Sequence, residues 1–223
     1  MISWSRTDTV LLDMDGTLLD LHFDNCFWLE VIPQRFASDR GISVESAREQ
    51  VVPLMAAVQG TLDWYCLDYW QARLDIDVVA LKREHAHLIR FRPGAEAFLG
   101  ALRAAGKRAV LVTNAHRDSL SLKLERVPLA GYLDRVISSH DLGAPKEAAV
   151  FWESLQALEG FDPARTVLLD DSVAVLSAAR DYGLGAVYGI ARPDTTRPPL
   201  APKGFPLVEA FEAVCPPPAS GEA

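Results

Sequence analysis

The chain has 223 residues, 49% of them hydrophobic, which is long enough for one sizeable core and too apolar for a disordered chain. Its net charge of −8 speaks against a nucleic-acid surface as main partner, yet a bound cation and a few basic side chains would still admit a small phosphate ligand. No apolar run approaches a bilayer span and no basic-then-apolar leader opens the chain, while Cys26, Cys66 and Cys215 lack metal-ligand spacing; a cytoplasmic, reduced protein with no membrane contact and no zinc site is expected.

Residues 1–8 read as a polar lead-in. Thr9-Val10-Leu11-Leu12 is a short apolar run, the pattern of a buried parallel strand, and it meets Asp13-Met14-Asp15-Gly16-Thr17. Gly16 permits a sharp turn. Two acids at the end of a buried strand repel and resist desolvation, so a cation or a chemical task is implied. Residues 20–90 then show helical spacing and no strand. Phe27, Trp28, Val31, Ile32 and Phe36 share one helix face, and Gly41 ends that helix. Ser43 caps a second helix, which Pro53 is expected to kink or split. Leu62, Tyr65, Tyr69 and Trp70 mark a third, and Asp75 or Asp77 opens a fourth that runs to about residue 89.

Strand–helix alternation resumes after Arg92-Pro93-Gly94. Strands are expected at 108–112, 135–138, 166–169 and 186–190, with helices at 95–105, 120–127, 146–158 and 172–182 between them. Residues 192–206 are rich in proline and read as a loop, 207–214 as a final helix, and 216–223 as a disordered tail. The fold class is α/β: a doubly wound parallel sheet over 1–19 and 91–215, with 20–90 as a small inserted helical domain.

Three strands end in polar groups: Asp13 with Asp15, Thr113 with Asn114, and Asp170 with Asp171. Lys146 opens a helix between the last two. A parallel sheet gathers its carboxyl ends on one edge, so these groups converge despite their separation in sequence. Four acids and a lysine around one crevice describe an oxygen-ligand Mg²⁺ site. Taken singly, Asp171 or Ser172 could cap a helix and Asp13 could brace a turn. Two acidic strand ends plus a lysine need a joint explanation.

The order Asp13-x-Asp15-Gly16-Thr17, Thr113, Lys146, Asp170-Asp171 resembles the four motifs of the haloacid dehalogenase (HAD) superfamily, over all of the chain but its tail. The helical insert resembles that superfamily's small helical cap. The resemblance implies a Rossmann-like core and an aspartyl-phosphate on Asp13. Asp15 would be general acid and base, its backbone carbonyl on the metal. Asp13, Asp15, Asp170 and Asp171 would surround Mg²⁺, with Asp171 in direct contact and Asp170 holding a metal-bound water. Thr113 and the Asn114 backbone N–H would bind phosphate, and Lys146 would neutralise charge. A proton donor at position 15 suits phosphate-ester cleavage better than carbon–halogen cleavage. Pro145 precedes Lys146, where the superfamily more commonly has lysine before proline; Lys203 is a weaker rival.

His22, Asp24, Asn25, His116 and Arg117 are expected on the crevice rim as substrate contacts. Trp64, Tyr65, Tyr69 and Trp70 fit a helix core and also a base-stacking platform. Residues 18–25, 60–70, 113–116 and 145–147 resemble bacterial HAD enzymes described as GMP/IMP nucleotidases. That implies hydrolysis of a small phosphorylated metabolite, a purine 5′-nucleotide. A sugar-phosphate or phosphoglycolate phosphatase, a β-phosphoglucomutase-like mutase and a non-catalytic phosphate-binding module remain open.

Overall fold

β1 (Thr9–Leu12) is buried at every residue because both of its faces are covered. The structure is a computed structural model describing residues 2–200 and 204–218. Lys203 and most of the expected tail, 219–223, lie outside the described residues; Pro216, just before them, is buried. β1 pairs in parallel with β2 (Arg108–Thr113) and with β4 (Thr166–Asp170). β3 (Arg135–Ser138), β5 (Ala186–Ile190) and β6 (Leu207–Val208) complete a six-stranded sheet in the order β3-β2-β1-β4-β5-β6.

Strand alternation builds the two flanking layers. Val10 and Leu12 pack on one face with Phe98, Leu99 and Leu102. Leu11 packs on the other with Phe151, Trp152 and Leu155. Between β1 and β2 the chain runs through α1 (His22–Cys26), a π turn (Phe27–Val31), α2 (Ile32–Arg40), α3 (Val44–Val58), α4 (Leu62–Tyr65), α5 (Leu67–Leu74) and α6 (Val78–Glu84). This segment has its own apolar cluster around Phe27, Phe36, Val51 and Trp70. α7 (Ala95–Ala104), α8 (Arg117–Arg126), α9 (Ser139–Leu142), α10 (Ala149–Glu159) and α11 (Val173–Tyr182) flank the sheet.

The helical segment leaves and returns through paired chains. Leu19 bridges Phe91, and Arg92 N–H donates to the Leu18 carbonyl at 2.9 Å. Buried Asp20 accepts from the Arg90 guanidinium at 2.8 and 3.0 Å and from Thr195 N–H at 3.1 Å.

Four expectations are corrected. Pro53 does not split α3: it lies on the exposed face, where the carbonyl it leaves unpaired is open to solvent and its ring meets no neighbouring element. The third helix breaks at Cys66, whose extended backbone (φ −82, ψ 114) separates α4 from α5. Lys146 precedes α10 instead of opening it: it lies in a turn closed by Ala148 N–H donating to the Pro145 carbonyl at 2.9 Å, and the extended backbone of Ala148 (φ −94, ψ 137) delays the helix to Ala149. Residues 207–214 form β6 and a 3-10 turn, Phe211–Val214, in place of a helix. The open edge of β5 captures Leu207 and Val208, a non-local gain that no local period reports.

Candidate active site

The register of the central strands sets the site. Leu12 faces Leu169 on β4 and Leu111 on β2, so Asp13 emerges beside Asp170 and next to the end of β2. This is where the strand order reverses, the crevice in which doubly wound sheets bind ligands. Lys146 is 2% exposed, and its ammonium uses all three donors. It donates to Asp13 Oδ1 at 2.6 Å, Asp170 Oδ2 at 2.6 Å and the Val112 carbonyl at 3.1 Å. Its backbone is held on both sides: Lys146 N–H donates to Asn114 Oδ1 at 3.0 Å, and Trp152 Nε1–H donates to the Lys146 carbonyl at 2.8 Å. Asn114 Nδ2 donates to Glu147 Oε2 at 2.9 Å, and the Tyr65 hydroxyl to Glu147 Oε1 at 2.7 Å, which links the helical segment to the sheet edge.

Asp13, Asp170 and Asp171 each offer a carboxylate oxygen within 4.8 Å of the others. Burial, with Asp170 alongside, pushes Asp13 up to about 6 against the pull of Lys146. Burial and the neighbouring acids push Asp171 well above the carboxylate range. Burial also raises Asp170, against Lys146. Against burial, Asp13 and Asp170 raise the Lys146 pKa, so it stays charged. Three carboxylates against one ammonium leave a negative excess that a divalent cation with oxygen ligands would offset, so the residues fit Mg²⁺. Asp170 has both oxygens committed, to Lys146 and to Ser172 N–H at 2.8 Å.

Gly16, at φ +82, allows the turn to approach this acid group: a Cβ there would lie 2.4 Å from Asp171 Oδ2. Gly16→Ala is therefore expected to displace Asp171 and weaken Mg²⁺ activation about 10- to 100-fold, measured as the Mg²⁺ concentration giving half-maximal rate. An unchanged midpoint would count against Asp171 as a metal ligand.

The Asp15 carboxylate does not join that group. It faces Lys123 Nζ at 2.6 Å, which also reaches Asp24 Oδ2 at 2.7 Å; Asp24 Oδ1 accepts from Lys82 at 2.8 Å. Four charges thus alternate in sign along a row from β1 to α6, with both lysines buried and both acids half-buried. Burial pushes Asp15 up to about 6, opposed by Lys123. Lys123 and Lys82 hold Asp24 well below the usual carboxylate range, although burial alone would raise it. The Lys82 ammonium also lies 4.7 Å and 4.6 Å from the Phe23 and Phe27 ring centres. Sequence reading missed both lysines. Helical period carried the signal: Lys123 repeats the buried face of Ser119 and Leu120, and Lys82 that of Val78 and Leu81.

Above the acids lies a cavity of about 480 Å³. Asp13, Asp15, Thr113, Lys146, Asp170 and Asp171 form its floor, and Trp28, Trp64, Tyr65 and Trp70 line the helical side. Thr113 Oγ1 accepts from Ala115 N–H at 3.0 Å, leaving its own proton to donate. Of the rim residues, Asp24, Asn25 and His116 line the cavity. His22 and Arg117 do not: His22 packs toward Asp194 at 3.9 Å, and Arg117 is 68% exposed and pairs with Asp141 at 2.5 Å. Both follow residues that do line it, and the helix turns them outward. Tyr69 also lies outside the lining; it packs edge-on to Trp70 at 5.0 Å.

A parallel sheet whose central strand ends in an acid pair, faced by a buried lysine and a second acidic strand end, defines a class of hydrolase. Residues 7–183 match the family model of haloacid dehalogenase-like hydrolases, and the chain belongs to that family. It is 42% identical over 194 residues to the GMP/IMP nucleotidase YrfG of Escherichia coli K12, covering 87% of each chain. It is 30% identical over 220 residues to a plasmid phosphoglycolate phosphatase of Cupriavidus necator, covering 92% of this chain and 90% of that one. A HAD phosphatase from Thermococcus onnurineus shares the fold, with a TM-score of 0.78 at 23% identity, over 93% of this chain and 96% of that one. No helix among the described residues is long and apolar enough to cross a membrane.

Proposed function

We propose that the protein is a Mg²⁺-dependent phosphatase that hydrolyses purine 5′-nucleotides of the GMP and IMP type through an aspartyl-phosphate on Asp13. The observation that carries this reading is Lys146, whose ammonium lies 2.6 Å from Asp13 at the floor of the cavity. It favours an ionised carboxylate there and offsets the charge of an incoming phosphate dianion.

Asp13 attacks phosphorus as the ester oxygen leaves, and Asp15, once protonated, gives that oxygen its proton. Asp15 then takes a proton from the water that attacks the phosphorus and frees Asp13. The Thr113 hydroxyl donates to a phosphate oxygen. Asn114 holds Lys146 and Glu147 in place through its side chain, and its backbone N–H is the further expected phosphate contact. Asp13 and Asp171 would hold Mg²⁺ directly, with the Asp15 backbone carbonyl, and Asp170 would hold one of its waters. When bound, the ion supplies the positive charge that phosphoryl transfer needs. Residues 20–90 act as the cap that closes the cavity from the helical side.

The purine preference rests on the similarity to YrfG and on the indole and phenol rings above the acids, which suit the flat face of a base. Phosphoglycolate would leave those rings without a contact. The test is phosphate release from GMP, IMP, AMP, 2-phosphoglycolate, glucose 1-phosphate and glucose 6-phosphate. GMP and IMP are expected to give the highest kcat/KM, and EDTA to stop turnover until Mg²⁺ is restored. A preference for phosphoglycolate, or conversion of glucose 1-phosphate to its 6-isomer, would replace the nucleotidase reading.

A further inference from the structure

Cys66 occupies the break between α4 and α5, while His116 caps α8 and His140 lies in α9 beside the carboxyl edge of the sheet. The Cys66 sulfur and one ring nitrogen from each histidine lie within 4.8 Å of one another. The proposed hydrolysis gives no role to Cys66 or His140, and neither lines the cavity. His140 Nε2 is buried and has no hydrogen-bond partner among the described residues. A buried imidazole nitrogen left without a partner calls for one, and a metal ion can supply it. His116 packs edge-on to His140, ring centres 5.1 Å apart. Its Nε2 lies 3.7 Å from Asp68 Oδ2, and Asp68 is 77% exposed and free to turn.

A thiolate, two imidazoles and a carboxylate make a ligand set for zinc or cobalt and a poor one for Mg²⁺, which prefers oxygen. Metal bonds of roughly 2.0–2.3 Å require the three atoms to draw together by about 1 Å. We propose that Cys66, His116 and His140, with Asp68 as fourth ligand, form a site for one thiophilic divalent transition metal, distinct from the acidic group. Cys66 belongs to the helical segment and both histidines to the sheet edge, so the ion ties the two together. Tyr65 and His116 line the cavity beside it, and the tie restrains opening for product release. The binding site stands on its own geometry; that inhibitory consequence rests on the phosphatase reading.

The test is a Co²⁺ titration of the full chain in excess Mg²⁺, following sulfur-to-cobalt charge-transfer absorption. One Co²⁺ per chain with a thiolate band is expected, displaced by Zn²⁺ and lost in Cys66→Ala and in His140→Gln. Absence of the band, or its survival in either variant, would overturn the site. In a parallel assay with excess Mg²⁺, Zn²⁺ should inhibit the parent protein at concentrations that spare Cys66→Ala. Equal inhibition of both would overturn the tie and place the effect at the acids. If no phosphomonoester is turned over, the hydrolase reading falls while the cobalt titration still decides the site.

Discussion

Asp13→Asn is expected to lower phosphate release by at least about 10,000-fold, the scale on which loss of a catalytic nucleophile is felt. The amide has nearly the same shape, so the cavity and the Lys146–Asp170 pair at 2.6 Å should persist. What disappears is the anionic oxygen that bonds to phosphorus. The variant also removes one of three mutually repelling carboxylates. Its melting temperature in Mg²⁺-free buffer should therefore hold or rise, which separates lost chemistry from lost structure. Acid quenching of the parent during turnover should trap protein-bound phosphate, and the variant should trap none. Residual activity within about tenfold of the parent would end the covalent reading.

Lys146→Met is expected to cost both activity and stability. Methionine fills a similar volume but leaves Asp13, Asp170 and the Val112 carbonyl without their shared donor. Breaking a buried ion pair from one side typically costs about 3–5 kcal/mol. The loss should depend on pH, with a determinable sign. Lys146 has a raised pKa, so its contribution is complete below the unfolded value of about 10.4 and is lost only as pH rises through the folded one. It stays charged from pH 5 to 8. The acids decide that window. Asp13 and Asp15 titrate at about 6 in the folded protein, above the ordinary 3.8, so the folded state binds more protons between those values. Mg²⁺-free stability should therefore rise as pH falls from 8 to 5, by on the order of 1–3 kcal/mol. Melts with and without Mg²⁺ should show the deficit of Lys146→Met shrinking at pH 5, and Mg²⁺ stabilising the parent most at pH 8. A deficit independent of pH would mean that Lys146 serves packing alone. Arginine is not expected to rescue, since a planar fork cannot place one nitrogen among three acceptors.

The extent to which the site was legible in the sequence follows from the range of the forces involved. Thr9–Leu12 running into Asp13, and Thr166–Leu169 into Asp170, carry strand, burial and chemistry within a few residues, and parallel pairing then leaves only one edge on which they can meet. Capping is equally local: Ser43 accepts from Ser46 N–H at 3.2 Å and Gly41 takes the left-handed turn. The edge strand β6 was not legible, because its two residues are held by β5 and not by any period of their own. The row Asp15–Lys123–Asp24–Lys82 was half visible: each lysine sits on a buried helical face, but its partner lies on another element.

Local pattern alone determined the alternating core, the acidic strand ends and the helical insert, because hydrophobic period and turn chemistry act over a few residues. Tertiary structure decided which side chains share a cavity, turning His22 and Arg117 away and bringing Cys66, which has no metal-ligand spacing in sequence, beside His116 and His140. The reason is physical: charge pairing and ligand convergence act through space, and chain order does not carry that distance until the helices are packed.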